Sequence, residues 1–162
     1  NVTFGLGLLV ELAVRLRDEG LGAREIAERI EELTPRVRLY AAVSDLKYLK
    51  MGGRLSSAGA AVGTLLGIKP LISVIEGKVI GVDKVRGQKQ AMQRVVEFVL
   101  RDGIDTAYPV YFGHSDSLDA MQELKAMTAE AAVLGETRAL DIGPVVGTHA
   151  GPGAVGIAFI GK

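Results

Sequence analysis

Arg54 is the residue that most invites a chemical reading. In MGGRLSSAGAAVGTLLGIKP (51–70) it is followed by no further charge until Lys69, while Gly59, Gly63 and Gly67 recur every fourth residue. A guanidinium is a permanently charged fork that grips a carboxylate through two parallel hydrogen bonds. Ser56 or Ser57 is expected to start a helix just beyond it, whose free N–H groups and dipole favour an anion. Glycines at i, i+4 and i+8 make one face of that helix smooth. Taken alone, the glycine spacing speaks for close packing of a helix on a sheet. Joined to Arg54 it also suits a fatty acid, with the carboxylate at Arg54 and the tail along Gly59, Gly63 and Leu66.

The two histidines are the other candidates. His149 sits in GPVVGTHAGPG, where Gly143, Pro144, Gly147, Gly151, Pro152 and Gly153 predict a shaped loop that a ligand can approach closely. His114 follows the strand-like YPVYFG and reads as a histidine bonded to local backbone. Their separation and the absence of an H-x-x-H spacing argue against a metal site. There is no G-x-S-x-G elbow and no G-x-x-x-x-G-K-[ST] cradle. GPGAVG (151–156) matches G-x-G-x-x-G formally, but a strand-like run follows it where a dinucleotide site needs a helix. The enzymatic reading that remains is an acyl-ester hydrolase or transferase with His149 as general base beside Thr148 or Ser56. A purely structural domain, with Arg54 tying a loop together, is the third.

Composition narrows the partners. Nineteen basic residues balance nineteen acidic ones over 162 residues, no run of Lys/Arg appears, and aromatic residues are 5% with no Trp, so nucleic acid has no foothold. Without cysteine there is no disulfide, thiolate metal site or thiol nucleophile, which fits a cytoplasmic protein. Leu55 to Ile68 is too short an apolar run to span a bilayer. The chain opens on Asn1 in what reads as running polypeptide, and a fragment is expected.

These residues need elements to hold them. Phe4, Leu8, Leu12 and Leu16 predict a helix capped at Thr3 and stopped at Gly20; Ile26, Ile30 and Leu33 predict a second, with Glu25 paired to Arg29 and Pro35 as its end. VRLYAAV (37–43) reads as a strand and LKYLK as a short helix stopped by Gly52-Gly53. A β-hairpin turns at Glu76-Gly77, a helix runs through Met92 to Leu100, and YPVYF (108–112) is a strand. A helix capped at Asp116 or Ser117 follows, then strands in ALDIGPVV and AVGIAFI with a Gly/Pro-rich crossing between them. The fold class expected is α/β (α+β-like): a mixed sheet covered by helices, with an N-terminal helical hairpin.

Three stretches in order, LKYLKMGGRLSSAGAAVGTLLGIKPLI, GKVIGVDKVRGQKQA and IGPVVGTHAGPGAVGIAF, resemble the DegV family of bacterial fatty-acid-binding proteins. The resemblance runs along the whole chain and covers the C-terminal portion of such a protein. It implies residues 1–35 as a helical hairpin leading to a missing N-terminal domain and 36–162 as the lipid-binding domain. It implies Arg54 and His149 near the carboxylate of a long-chain fatty acid such as palmitate, and no cofactor. It also implies a partner, a fatty acid kinase catalytic subunit that phosphorylates the bound acid to an acyl phosphate, so that this chain is a carrier and not itself an enzyme. Ala150 stands where the family often has Thr, which removes one hydroxyl donor.

Overall fold

The computed structural model describes residues 1–54 and 67–162. Six strands form one sheet in the order β3-β2-β1-β6-β4-β5. They are β1 (Val37–Ala42), β2 (Ile68–Ile75), β3 (Lys78–Arg86), β4 (Val110–Ser115), β5 (Thr137–Asp141) and β6 (Ala154–Ile160). All neighbours are antiparallel except β4 and β5, which the crossover helix α5 (Leu118–Ala131) joins in parallel, as such a pair requires. The mixed sheet expected from the alternation of elements is the one observed.

Side-chain alternation assigns the two faces. Tyr40, Ala42, Val155, Ile157 and Phe159 meet α5 and α4 (Gln88–Asp102) on one side. Val37, Leu39, Ala158 and Ile160 meet α1 (Thr3–Asp18) on the other. Because both faces are covered, β6 is buried along its whole length and reads as a continuous apolar run. The N-terminal hairpin is present, but its helices differ. α1 sinks Phe4, Leu8, Leu9 and Leu12 into the core, whereas α2 (Ala23–Leu33) buries no residue and only rests Ile30 and Leu33 on that cluster.

Beside α1, two short helices cover the end of the sheet. These are α3 (Lys47–Met51) and α6 (Pro144–Ala150), with Leu49 and Ala150 packed against Ala41, Val43, Ile72 and Ala154. α6 corrects the expected loop across the Gly/Pro-rich stretch and the strand expected through Val146. Pro144 takes the first helical position, where its fixed φ fits and its missing N–H costs nothing, and positive φ is confined to Gly151 and Gly153 after the helix. β5 accordingly ends at Asp141.

Local details differ for equally local reasons. Val2, not Thr3, is the cap of α1. Glu25 turns back to accept the Gly22 N–H at 2.8 Å, so Arg29 pairs with Glu32 and Arg24 with Glu28. β4 is shifted two to three residues later than YPVYF, placing His114 inside it. The helix expected from Ser56 or Ser57, with Gly59, Gly63 and Leu66, lies outside the described residues.

Candidate functional site

Arg54 is positioned by the end of α3. The Gly53 N–H donates to the Lys50 carbonyl at 3.1 Å and the Arg54 N–H to the Leu49 carbonyl at 2.9 Å. This paired closure needs a left-handed residue after the helix, and Gly53 supplies it at φ +67°. Gly-Gly-Arg is thus a helix stop that presents a cation. The Arg54 side chain is exposed, and its Nη1 donates to the Gly52 carbonyl at 2.7 Å, at the negative end of α3.

His149 comes to the same place from the far end of the chain. A Cβ on Gly52 would lie 1.9 Å from His149 Nδ1 and 2.6 Å from Cε1, so the imidazole rests directly on the glycine backbone. Nδ1 is buried and has no hydrogen-bond partner among the described residues. Two more glycines continue the seam. A Cβ on Gly151 would strike the Tyr48 ring at 2.2 Å, and one on Gly153 would meet Ser44 Oγ at 2.2 Å. The segment 44–54 and the segment 149–153 therefore lock together through Gly52, Gly151 and Gly153. Lys69 Nζ donates to Ser44 Oγ at 3.3 Å and brings a second cation to this end of the sheet.

Arg54 and His149, ninety-five positions apart, are thus brought together through Gly52. Thr148 lies beside His149 in α6, exposed, with its hydroxyl donating to the Val145 carbonyl at 2.9 Å. Ser56, Gly59, Gly63 and Leu66 lie outside the described residues. His114 is separate and settled: the Ser117 N–H donates to its Nδ1 at 3.3 Å, leaving Nε2 to face Asp141 at 3.2 Å. The local-backbone reading of that histidine holds. Sequence reasoning missed Tyr48, Ser44 and Lys69, although the paired glycines at 151 and 153 signalled that something must approach them.

The shifted ionisable groups lie elsewhere. Glu11 on α1 accepts from Tyr111, Arg15 and Arg138, the last at 3.0 Å; burial pushes its carboxyl up, and these bonds outweigh it to hold the group below the ordinary glutamate value. Tyr40 is pushed up to about 12 by burial and by its hydrogen bond to Asp102. Among the described residues no cluster of His, Asp or Glu could hold a metal ion, and no helix is long and apolar enough to cross a membrane.

The fold and this end of it define the class: a three-layer α/β domain whose mixed sheet is closed at one end by two short helices interlocked on glycines. The model of the DegV family, described as an uncharacterised protein family, matches residues 1–162, and the chain belongs to that family. A DegV domain-containing protein of Caldanaerobacter subterraneus is 35% identical over 98% of this chain and 57% of its own length. The solved fatty-acid-binding DegV family protein of Streptococcus agalactiae is 33% identical, with a TM-score of 0.83, over 95% of this chain and 55% of that one. The fatty acid kinase B3 protein of Streptococcus pneumoniae, solved with linoleic acid, shares the fold at a TM-score of 0.87 and 22% identity, over 98% and 56%. The chain spans little more than half the length of the relatives it matches.

Proposed function

We propose that this chain contributes the tail-burying part of a cytoplasmic carrier for long-chain fatty acids. The carrier holds the carboxylate at Arg54 and His149 and presents it to a kinase subunit, which phosphorylates it to an acyl phosphate. The observation that carries the reading is the convergence of Arg54 and His149 on Gly52. One is a permanent cation; the other is an imidazole with a buried nitrogen that has no partner among the described residues. Family membership and the fatty-acid-binding relative from Streptococcus agalactiae support the ligand class; the kinase protein from Streptococcus pneumoniae supports the partner. On this reading residues 36–162 are the lipid-binding domain and 1–35 lead to a further domain that completes the head-group site. About fifteen methylenes at ~0.8 kcal/mol each supply on the order of 12 kcal/mol before ordering costs, so the tail provides affinity and the head group orientation. The hydrolase alternative draws less support, since the Thr148 hydroxyl proton is engaged with the Val145 carbonyl.

Native mass spectrometry of the full-length protein tests the reading: a co-purifying fatty acid is expected, and turnover of acyl esters without retained acid would replace it with the enzymatic one. Calorimetry on Arg54→Met adds the role of the cation. With the carboxylate desolvated, losing Arg54 costs about 3–5 kcal/mol, or roughly two to four orders of magnitude in affinity. A fatty alcohol should be little affected, and equal losses for acid and alcohol would reduce Arg54 to a structural residue.

A further inference from the structure

Besides tyrosines, three polar side chains are buried among the described residues, Ser73, His114 and Thr128, and of these only a histidine changes charge between pH 5 and 8. His114 stands at the tip of β4, opposite Asp141 of β5 and Val155 of β6. Both ring nitrogens are committed. The Ser117 N–H donates to Nδ1 at 3.3 Å, so that nitrogen carries the lone pair and Nε2 the proton, which faces the Asp141 carboxylate at 3.2 Å. Asp141 is the one charged group within ion-pair distance among the described residues; Asp116 in the turn and Asp119 in the first turn of α5 form no ion pair with the ring. An imidazole with neither nitrogen free is no general base. It is a tie.

The tie closes a strained turn. Between β4 and α5, Asp116 takes a left-handed φ of +48°, a conformation that residues with a side chain seldom adopt. Ser117, at the N-cap of α5, makes no side-chain capping bond, so the start of α5 is fastened to β4 through the imidazole rather than by a cap. The same tip seats α6. The Ile142 N–H, just before that helix, donates to the His114 carbonyl at 2.7 Å, and the Gly153 N–H, just after it, donates to the Ser115 carbonyl at 2.7 Å. A Cβ on Gly147, in mid-helix, would stand 3.6 Å from Ser115 Oγ. Two successive residues of β4 therefore carry both ends of the helix that bears His149.

A proton acts on this tie in one direction. Bound at Nδ1, it takes away the lone pair that the Ser117 N–H uses and sets two donors face to face. The imidazolium gains attraction to Asp141, but that carboxylate side chain is 86% exposed and water screens the gain. The turn then loses its side-chain tie. We propose that His114 is a positioning residue operated by a proton: uncharged, it fastens the β4–α5 turn and the seat of α6; charged, it releases them and lowers affinity for the ligand held at His149. The effect on affinity rests on the carrier reading of the head-group site, whereas the release of the turn stands on the geometry of β4 alone.

A long-chain fatty alcohol, which has no carboxyl to titrate, is the probe, offered to the full-length protein at about pH 7.5 and about pH 5.5. The parent is expected to bind it about two- to tenfold more weakly at the lower pH, the worth of one hydrogen bond. In His114→Asn the amide oxygen replaces Nδ1 as acceptor and takes up no proton, so affinity should keep the parent's neutral-pH value throughout. In His114→Gln the amide reaches the place of Nε2 but not that of Nδ1, so affinity should be low and independent of pH. If all three proteins share one pH dependence, the proton acts elsewhere and the proposal falls. NMR of the parent supplies a readout that needs no variant to fold. Protection of the Ser117 amide, corrected for intrinsic exchange, should drop with the same midpoint as the charging of the His114 ring. Different midpoints overturn the proposal. Coinciding midpoints in a protein that binds neither fatty alcohol nor fatty acid would sink the carrier reading and leave the proton-operated turn in place.

Discussion

At Gly52 the absence of a side chain has a mechanical consequence. A methyl group there would occupy the space of the His149 ring, so Gly52→Ala should expel the imidazole and cost about 1–3 kcal/mol. If His149 serves the head group, fatty-acid affinity should fall further than it does in a Gly53→Ala control, whose new methyl meets nothing within 4 Å and whose penalty comes from the positive φ alone. Thermal melts and ligand titration of both variants decide it. Glu11 makes a prediction of a different kind. Its folded carboxyl lies below the unfolded value, so its contribution is fully present above the ordinary glutamate pKa and is lost as pH falls through the folded one. Urea midpoints of the parent should therefore drop between neutral pH and about pH 3 more than those of Glu11→Gln. Equal drops would place the acid sensitivity elsewhere.

Among the elements, α1 depends on a hollow in the sheet. Gly113 and Gly156 face each other across β4 and β6, and a Cβ on Gly113 would lie 2.4 Å from the Phe4 ring. Phe4, 2% exposed, fills the space that the missing side chain leaves. Phe4→Ala should cost about 3–5 kcal/mol by emptying that hollow. Gly113→Val should also destabilise, by driving a branched side chain into the ring. Each lesion repairs the other, so the double variant should be less destabilised than the sum of the two. Strict additivity in urea unfolding would mean that the ring and the glycine do not share a volume. At the other face, Tyr40 ties β1 to the end of α4 through Asp102 and Arg101, and Asp83 at the β3 bulge bonds Arg94 at 2.6 Å.

The molecule as a whole is held by several carboxylates of that kind. Asp83 and Asp105 are held low chiefly by hydrogen bonds from Arg94 and Arg36; at Asp102 burial acts first and upward, and bonds from Arg101 and Tyr40 overcome it. All contribute stability above their unfolded values and lose it below, so global stability should decline as pH falls below about 4, with no matching loss up to neutrality from these groups. Chemical denaturation across that range would show it. A flat profile would mean that these bonds persist in the unfolded chain.

Sequence alone determined the elements with strong periodicity or long apolar runs. α1 follows from Phe4, Leu8 and Leu12, the hairpin from Glu76-Gly77, and β6 from its unbroken apolar run, because burial imprints a repeat on the residues it selects. The family was legible on a different ground, the resemblance of three motifs in order, the first of which contains Arg54. Boundaries set by a single local bond were not: Glu25 caps Gly22 where an ion pair with Arg29 was expected, and Pro144 opens a helix where glycines suggested a loop. Only the tertiary structure placed His149 on Gly52 and Tyr48 on Gly151, since spacing along the chain says nothing of which glycine receives which side chain.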